Sequence, residues 1–315
     1  MTQPLRISGL VAACDALHRR IAALAQTQST ENYAQLTQRL STLVAQVDAL
    51  CAQHGNNPAN LPTPSRRAYQ WLRFLLDEDS LADHVATVAL AYEVILDNPK
   101  FKEQAALGYA VQFELDHSGH LWRMRVARKT VFLSVAEGFC GAPCEVLAAV
   151  VLAATSRSAK AKETVRIYAA SDDFTEIATA LELTTEQEEG AARGRHFDLD
   201  AVFTRVNRNH FANAMPRPRR LIWSSRLTTR IMGYYQARSD TVMLSRTLDD
   251  ASVPERVVDL VMYHELLHKQ LGVRVSNGRR QVHFAEFRQA EQRFPDFDAV
   301  NAELETIARR AWSQA

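Results

Sequence analysis

Cysteine is scarce in this chain of 315 residues: there are four, at positions 14, 51, 140 and 144, and no two form a CxxC pair. That excludes a disulfide framework and the usual thiolate zinc motifs, and it fits a reducing cytoplasm. Cys140 and Cys144, in FCGAPC, read as small buried residues rather than ligands. Long apolar runs are missing too. No stretch reaches eighteen consecutive apolar residues, which argues against a membrane span. The opening MTQPLRISGLVAACDALHRR lacks the basic start and unbroken apolar core of a secretory signal. Nor is there an excess of either charge: 37 Lys and Arg against 36 Asp and Glu leave a formal net charge of +1. Any argument for nucleic acid must therefore be local. What remains, 47% hydrophobic and 23% charged, is the composition of a globular protein long enough for one large domain or two ordinary ones.

Two regular stripes occupy the first fifty residues. Ile7, Leu10, Cys14, Leu17, Ile21 and Leu24 are spaced 3,4,3,4,3, and Tyr33, Leu36, Leu40, Leu43, Val47 and Leu50 repeat that spacing. Each is a narrow seam at heptad period, so residues 1–52 read as an antiparallel helical hairpin packing on itself or on the next segment, with a homodimer as the alternative use of the seam. QHGNNPANLPTPS (53–65) reads as a linker and 66–112 as helical. Near 113 the period changes. In LWRMRVARKTVFLSV, Trp122, Met124 and Val126 alternate with arginines, the mark of a strand, and a domain spanning 113–315 is expected to begin there. PCEVLAAVVLAAT then reads as a helix and DDFTEIATALELTTEQEEG as an acidic, partly helical connection.

Charge is segregated next. Residues 171–192 hold seven acids and no Lys or Arg, whereas 201–239 hold eight Arg and no acid. The plain explanation is two solvated or mutually neutralising faces. The sharper one is a basic surface, with Arg217, Arg219, Arg220, Arg226 and Arg230 as candidate contacts to DNA.

The last third is the most legible. RLIWSSR, RIMGYYQ and DTVMLSR look like short strands, the latter two joined by a tight connection. A helix over about 253–271 follows, with Ser252 and Glu255 as a capping box, Pro254 in its first turn, and Gly272 at a left-handed end. Its second half carries VMYHELLHKQLG. Residues four apart share a helix face, so His264 and His268 can offer nitrogens to one ion at about 2.0–2.1 Å. Glu265 lies about 100° further round, placed to act as general base to the attacking water rather than as a ligand. Val257, Val258, Val261, Met262, Leu266 and Leu267 make the flanks apolar, and two imidazoles with a carboxylate on a buried helix are costly unless a metal partners them. One Zn2+ per chain is the cofactor this implies. A third ligand is needed, and His283, Glu286 and Glu291 are the candidates.

The run W223…G233YY…T241VMLSRTLDD…VP…V261MYHELLH268…H283FAEFRQAEQRFP resembles the SprT-like zinc metallopeptidases, whose pattern is HExxH on one helix and a third His at the start of the next, followed shortly by a Phe. Here that pattern falls on His264, Glu265, His268, His283 and Phe287. The segment HFDLDAVFTRVNRNHF (196–211) is similar to the family's lead-in helix. The match covers about 196–297, the core of the domain. It implies a C-terminal zincin-type domain, a short antiparallel sheet over the HExxH helix; with the all-helical N-terminal region read from the stripes, which has no counterpart in the family, the expected fold class is α+β. The resemblance further implies zinc held by three His, and a protein or peptide substrate added along an edge strand. Two departures stand out: Phe284 follows His283 where Gly is common, and no Cys-rich module follows the motif within the 315 residues. The resemblance therefore carries over peptidase chemistry and not the DNA-protein crosslink repair in which a eukaryotic member of that family acts.

Tyr234, Tyr235 and Tyr263 are near enough in sequence to be considered as oxyanion stabilisers, though each reads first as a packing residue. Trp223 and Phe211 read as core, His210 as structural, and His117 with His120 as a turn pair rather than a metal site. The reading that results is a cytoplasmic zinc-dependent endopeptidase. Its rivals are a DNA-binding or regulatory module with little or latent proteolysis, and a structural zinc scaffold, against which the intact Glu265 argues.

Overall fold

The computed structural model describes residues 5–27, 30–185, 191–224, 227, 232–237, 239–276 and 279–314. They form a mixed α+β protein in two compact units, Met1–Thr185 and Glu186–Ala315.

In the N-terminal unit, α1 (Leu10–Thr27) and α2 (Thr30–Gln53) are the hairpin expected from the stripes. Leu10, Cys14, Leu17, Ile21 and Leu24 are buried, as are Leu36, Leu40, Leu43 and Val47; at the end of the second stripe Cys51 is buried instead of Leu50, which is 38% exposed. The seam of α1 is covered by α3 (Thr63–Phe74), α4 (Glu78–Asp97) and β1 (Ala110–Asp116), so the apolar face that offered a dimer contact is occupied within the unit. The stretch 53–65 is a packed connection rather than a loose linker: Pro58–Asn60 makes a 3-10 turn capped by Asn57, Leu61 is buried, and α3 has begun by Thr63. Asp77 caps α4 by accepting from the Ser80 amide, and α5 (Pro99–Ala106) follows.

The domain boundary differs from the one expected at 113. The strands β1, β2 (Trp122–Ala127) and β3 (Thr130–Ala136) form a sheet in the order β1-β3-β2, with β1 parallel and β2 antiparallel to β3. Their inward residues Phe113, Leu115, Val131, Leu133 and Val135 share one core with Leu17, Ile21 and Leu72. The change of period at 113 therefore marks a sheet entering the helical core, not a new domain. Arg128 and Lys129, at φ 48° and 58°, make the two-residue turn between β2 and β3. The helices α6 (Cys144–Thr155), α7 (Ala159–Ala169) and α8 (Asp172–Leu183) complete the unit.

The C-terminal unit opens with α9 (Leu199–His210), whose last turn is tied to the following chain by Asn207: its amide donates to Met215 O (2.9 Å) and accepts from Met215 N (3.0 Å). The clamp holds a bend in which Ala212 and Asn213 have φ of 50° and 60°. Next come β4 (Arg220–Trp223), β5 (Gly233–Gln236) and β6 (Thr241–Leu244), in the order β4-β6-β5. This sheet is mixed, not antiparallel as expected, because β4 runs parallel to β6 while β5 and β6 form the hairpin. β6 is central and buried along its length, and β4 and β5 are the two edges.

Helix α10 (Glu255–Leu271) lies against β5 and β6, with α9 and α12 (Phe297–Gln314) also packed on it. It starts two residues later than expected, and Pro254 stands at the N-cap position with no side-chain cap. The capping box does not form: Ser252 turns back, its hydroxyl donating to Asp250 Oδ1 at 2.7 Å. Gly272 ends the helix at φ 63°, ψ −155°, a conformation that only glycine adopts freely. Between α10 and α11 (Ala285–Glu291) the expected loop is a short hairpin, β7 (Arg274–Ser276) with β8 (Arg279–Gln281). Among the described residues no helix is long and apolar enough to cross a membrane.

Candidate metal centre

Helical geometry brings His264 and His268 together on one face of α10, and the hairpin returns His283 to them just ahead of α11. The three Nε2 atoms form a triangle: 3.0 Å between His264 and His268, 3.3 Å between His264 and His283, and 3.3 Å between His268 and His283. A tetrahedral ion bonded at about 2.0–2.1 Å needs nitrogens about 3.3 Å apart, so the triangle fits such an ion without rearrangement. Protons fit it less well. Three ring nitrogens facing one point cannot all be satisfied by one another, since a single N–H leaves two lone pairs opposed. This is the one group of three or more candidate ligands that converges among the described residues. Burial, reinforced by the two neighbouring imidazoles, pushes His268 down to about 2, which keeps it neutral and its lone pair available.

The orientation of the rings is built in. Phe287, fully buried on α11, lies beneath all three, with ring centroids 5.2, 4.6 and 4.8 Å from those of His264, His268 and His283. Glu291, one turn further along α11, puts Oε1 2.6 Å from His264 Nδ1. That bond fixes the tautomer with the proton on Nδ1 and turns the Nε2 lone pair to the triangle, the carboxylate–histidine arrangement that supports metal-bound imidazoles. Of the three candidates for third ligand, then, His283 is the one that converges. Glu291 braces a ligand, and Glu286 is on the surface, paired with Arg274 at 2.6 Å. Truncation of the brace, Glu291→Ala, is expected to lower zinc affinity by about 10–100-fold with the fold kept, measured by competition with a chromophoric chelator.

Glu265 is 4% exposed and projects from α10 toward β5. The strand residue it meets is Gly233, whose Cα faces the carboxylate with no side chain between them. Sequence reasoning missed Gly233, Phe287 as the floor of the site, and Glu291 as a brace. The only signal for the last was a carboxylate eight residues after His283.

The tyrosines are placed elsewhere. Tyr263 donates to Ala290 O at 2.7 Å and packs among His210, Phe211 and Phe294; burial raises its phenol. Tyr235 donates to Asp240 Oδ1 at 3.0 Å, beside the Asp240–Lys269 ion pair, and burial with that carboxylate raises it to about 12. Tyr234, by the alternation of a strand, projects from the face of β5 opposite to Gly233 and Tyr235, away from α10. Tyr263 and Tyr235 thus commit their hydroxyl protons to Ala290 and Asp240. His210 stacks on Phe294, while Trp223 and Phe211 are core.

Of the candidate DNA contacts, Arg217 is held by Asp200 (2.8 and 2.6 Å) and Arg219 is exposed, with its backbone amide on Asp240. Arg220 is half-buried at the start of β4; Arg226 and Arg230 lie outside the described residues. A further arginine of the same run, Arg205, grips Asp259 of α10 through two nitrogens. Part of the basic stretch is thus neutralised inside its own unit. His117 and His120 do not converge: His117 pairs with Gln70 at 3.2 Å and is lowered by burial to about 4, whereas His120 meets Ser118 and Ser134.

No family model, curated protein or solved structure matches the chain.

Proposed function

We propose that the C-terminal unit is a zinc-dependent endopeptidase of the SprT-like kind. The observation that carries this reading is the set of three Nε2 atoms 3.0–3.3 Å apart, with a buried carboxylate on the residue between two of them. His264, His268 and His283 would hold the ion. Zinc bound there would supply a Lewis acid that polarises the scissile carbonyl and lowers the pKa of a water. The chain's own part is proton transfer and placement. Glu265 takes the proton of the attacking water and delivers it to the leaving amine, which departs neutral. At 4% exposure, little solvent competes for that proton. β5, the last strand of its sheet, offers an edge along which an extended peptide can pair, and this selects segments of protein already free of their own structure.

Disordered casein is a suitable first substrate. Cleavage is expected to disappear when the protein is stripped with a chelator and to return with one equivalent of zinc. A protein that binds one zinc per chain and cleaves no such substrate would sink the peptidase reading and leave a structural zinc site.

A further inference from the structure

The residue most telling for this chemistry carries no side chain. We propose that Gly233 is a positioning residue for Glu265: its bare Cα leaves the volume in which the carboxylate must stand. This rests on the peptidase reading above.

A Cβ added at Gly233 would lie 2.3 Å from Glu265 Oε1, 2.9 Å from Glu265 Cδ and 2.7 Å from Val261 Cγ1. All three are closer than the 3.0 Å below which real Cβ contacts are essentially never found. Backbone conformation does not explain the glycine, because Gly233 is not among the residues with positive φ. Nor does strand propensity, since glycine weakens a strand interior and typically marks the close approach of another group. Here that group is the candidate base.

Neither backbone is free to retreat. β5 is registered against β6, Gly233 opposite Leu244 and Tyr234 opposite Met243, and the preceding Met232 O accepts from Ser245 N at 2.8 Å. On the other side α10 is anchored by Val257, Val258, Leu266 and Leu267, all buried. Two side chains must then give: Val261, buried and β-branched, by a few tenths of an ångström, and the Glu265 carboxylate, which stands nearest and at the end of a flexible side chain, by more. A methyl at 233 would therefore displace the carboxylate and leave both the sheet and the imidazole triangle in place. The same contact makes β5 a gauge: the strand that is to receive substrate also sets the height of the base above the metal face.

The test compares wild type, Gly233→Ala, Glu265→Asp and the double variant, each loaded with zinc and assayed on casein. Gly233→Ala is expected to bind one zinc per chain, stay folded with a melting temperature lower by a few degrees because Val261 must also give way, and lose about 100-fold or more in kcat with KM little changed. In the Glu265→Asp background, where the shorter side chain withdraws from the methyl, the same substitution is expected to cost less than threefold. That non-additivity separates positioning from general damage. Full activity in Gly233→Ala alongside inactive Glu265→Gln overturns the positioning role and leaves the base intact. Loss of zinc or of the folded state in Gly233→Ala overturns it as well, since the glycine would then be structural. A zinc-loaded wild type without activity overturns both this role and the peptidase reading.

Discussion

Glu265→Gln is expected to lower peptide hydrolysis by about 100- to 10,000-fold while zinc content stays at one per chain and the melting temperature does not fall. The amide has the shape of the carboxylate, so the contact with Gly233 is kept and no cavity opens. What disappears is the capacity to take a proton. Stability should hold, because the amide fills the same volume and keeps a carbonyl oxygen as acceptor. The metal should stay because none of the three converging nitrogens belongs to this residue. The measurement is kcat/KM on one peptide substrate, read beside metal analysis of the same preparation. Wild-type rates in the variant would falsify the assignment of the base; loss of zinc would instead make Glu265 part of the metal's support.

The largest effect on stability is expected far from this chemistry. Glu137, 1% exposed, receives His84 Nδ1 at 2.6 Å and Trp71 Nε1 at 2.9 Å, so one carboxylate ties α4 and α3 to the end of β3. Glu137→Ala leaves two buried donors without an acceptor and a void beside them. The expected loss is about 3–5 kcal/mol, a large fraction of the roughly 5–15 kcal/mol that stabilises an ordinary domain. Glu137→Gln keeps an oxygen acceptor and should lose less. Urea unfolding followed by tryptophan fluorescence measures both, since Trp71 sits at the bond being broken. A loss under 1 kcal/mol in the alanine variant would show that the pair is no more than break-even.

Nothing in the sequence singled out Glu137, and the reason is general. It touches partners 53 and 66 residues away, and sequence patterning reports what faces a residue's own helix or strand, not which distant side chain meets it. The elements nearest the metal were legible for the opposite reason. α10 has an apolar face, a proline before it and a glycine after it, and two histidines four apart on a helix share a face wherever that helix packs. The hairpin of β5 and β6 was legible from its short connection, whereas the direction of β4 was not, since it is set by pairing with β6 rather than with its neighbour in sequence. His283 could be chosen over Glu286 and Glu291 only through a family resemblance. Spacing alone treats an imidazole and a carboxylate on the same short helix segment as equivalent. The boundary at 113 failed because a change of period marks a new kind of element, and the sheet that begins there completes the core of the helices before it.

The hairpin β7–β8 sits between two of the converging histidines, His268 and His283, fifteen positions apart. An ion held by both therefore fastens a loop. The entropy of closing that loop would be borne by the metal bonds more than by the hairpin's own few backbone pairs, since its three-residue strands are too short to be stable alone. Were such an ion bound, its affinity and the pairing of β7 with β8 would be two readings of one equilibrium. In such an arrangement a chelator would act as a local denaturant.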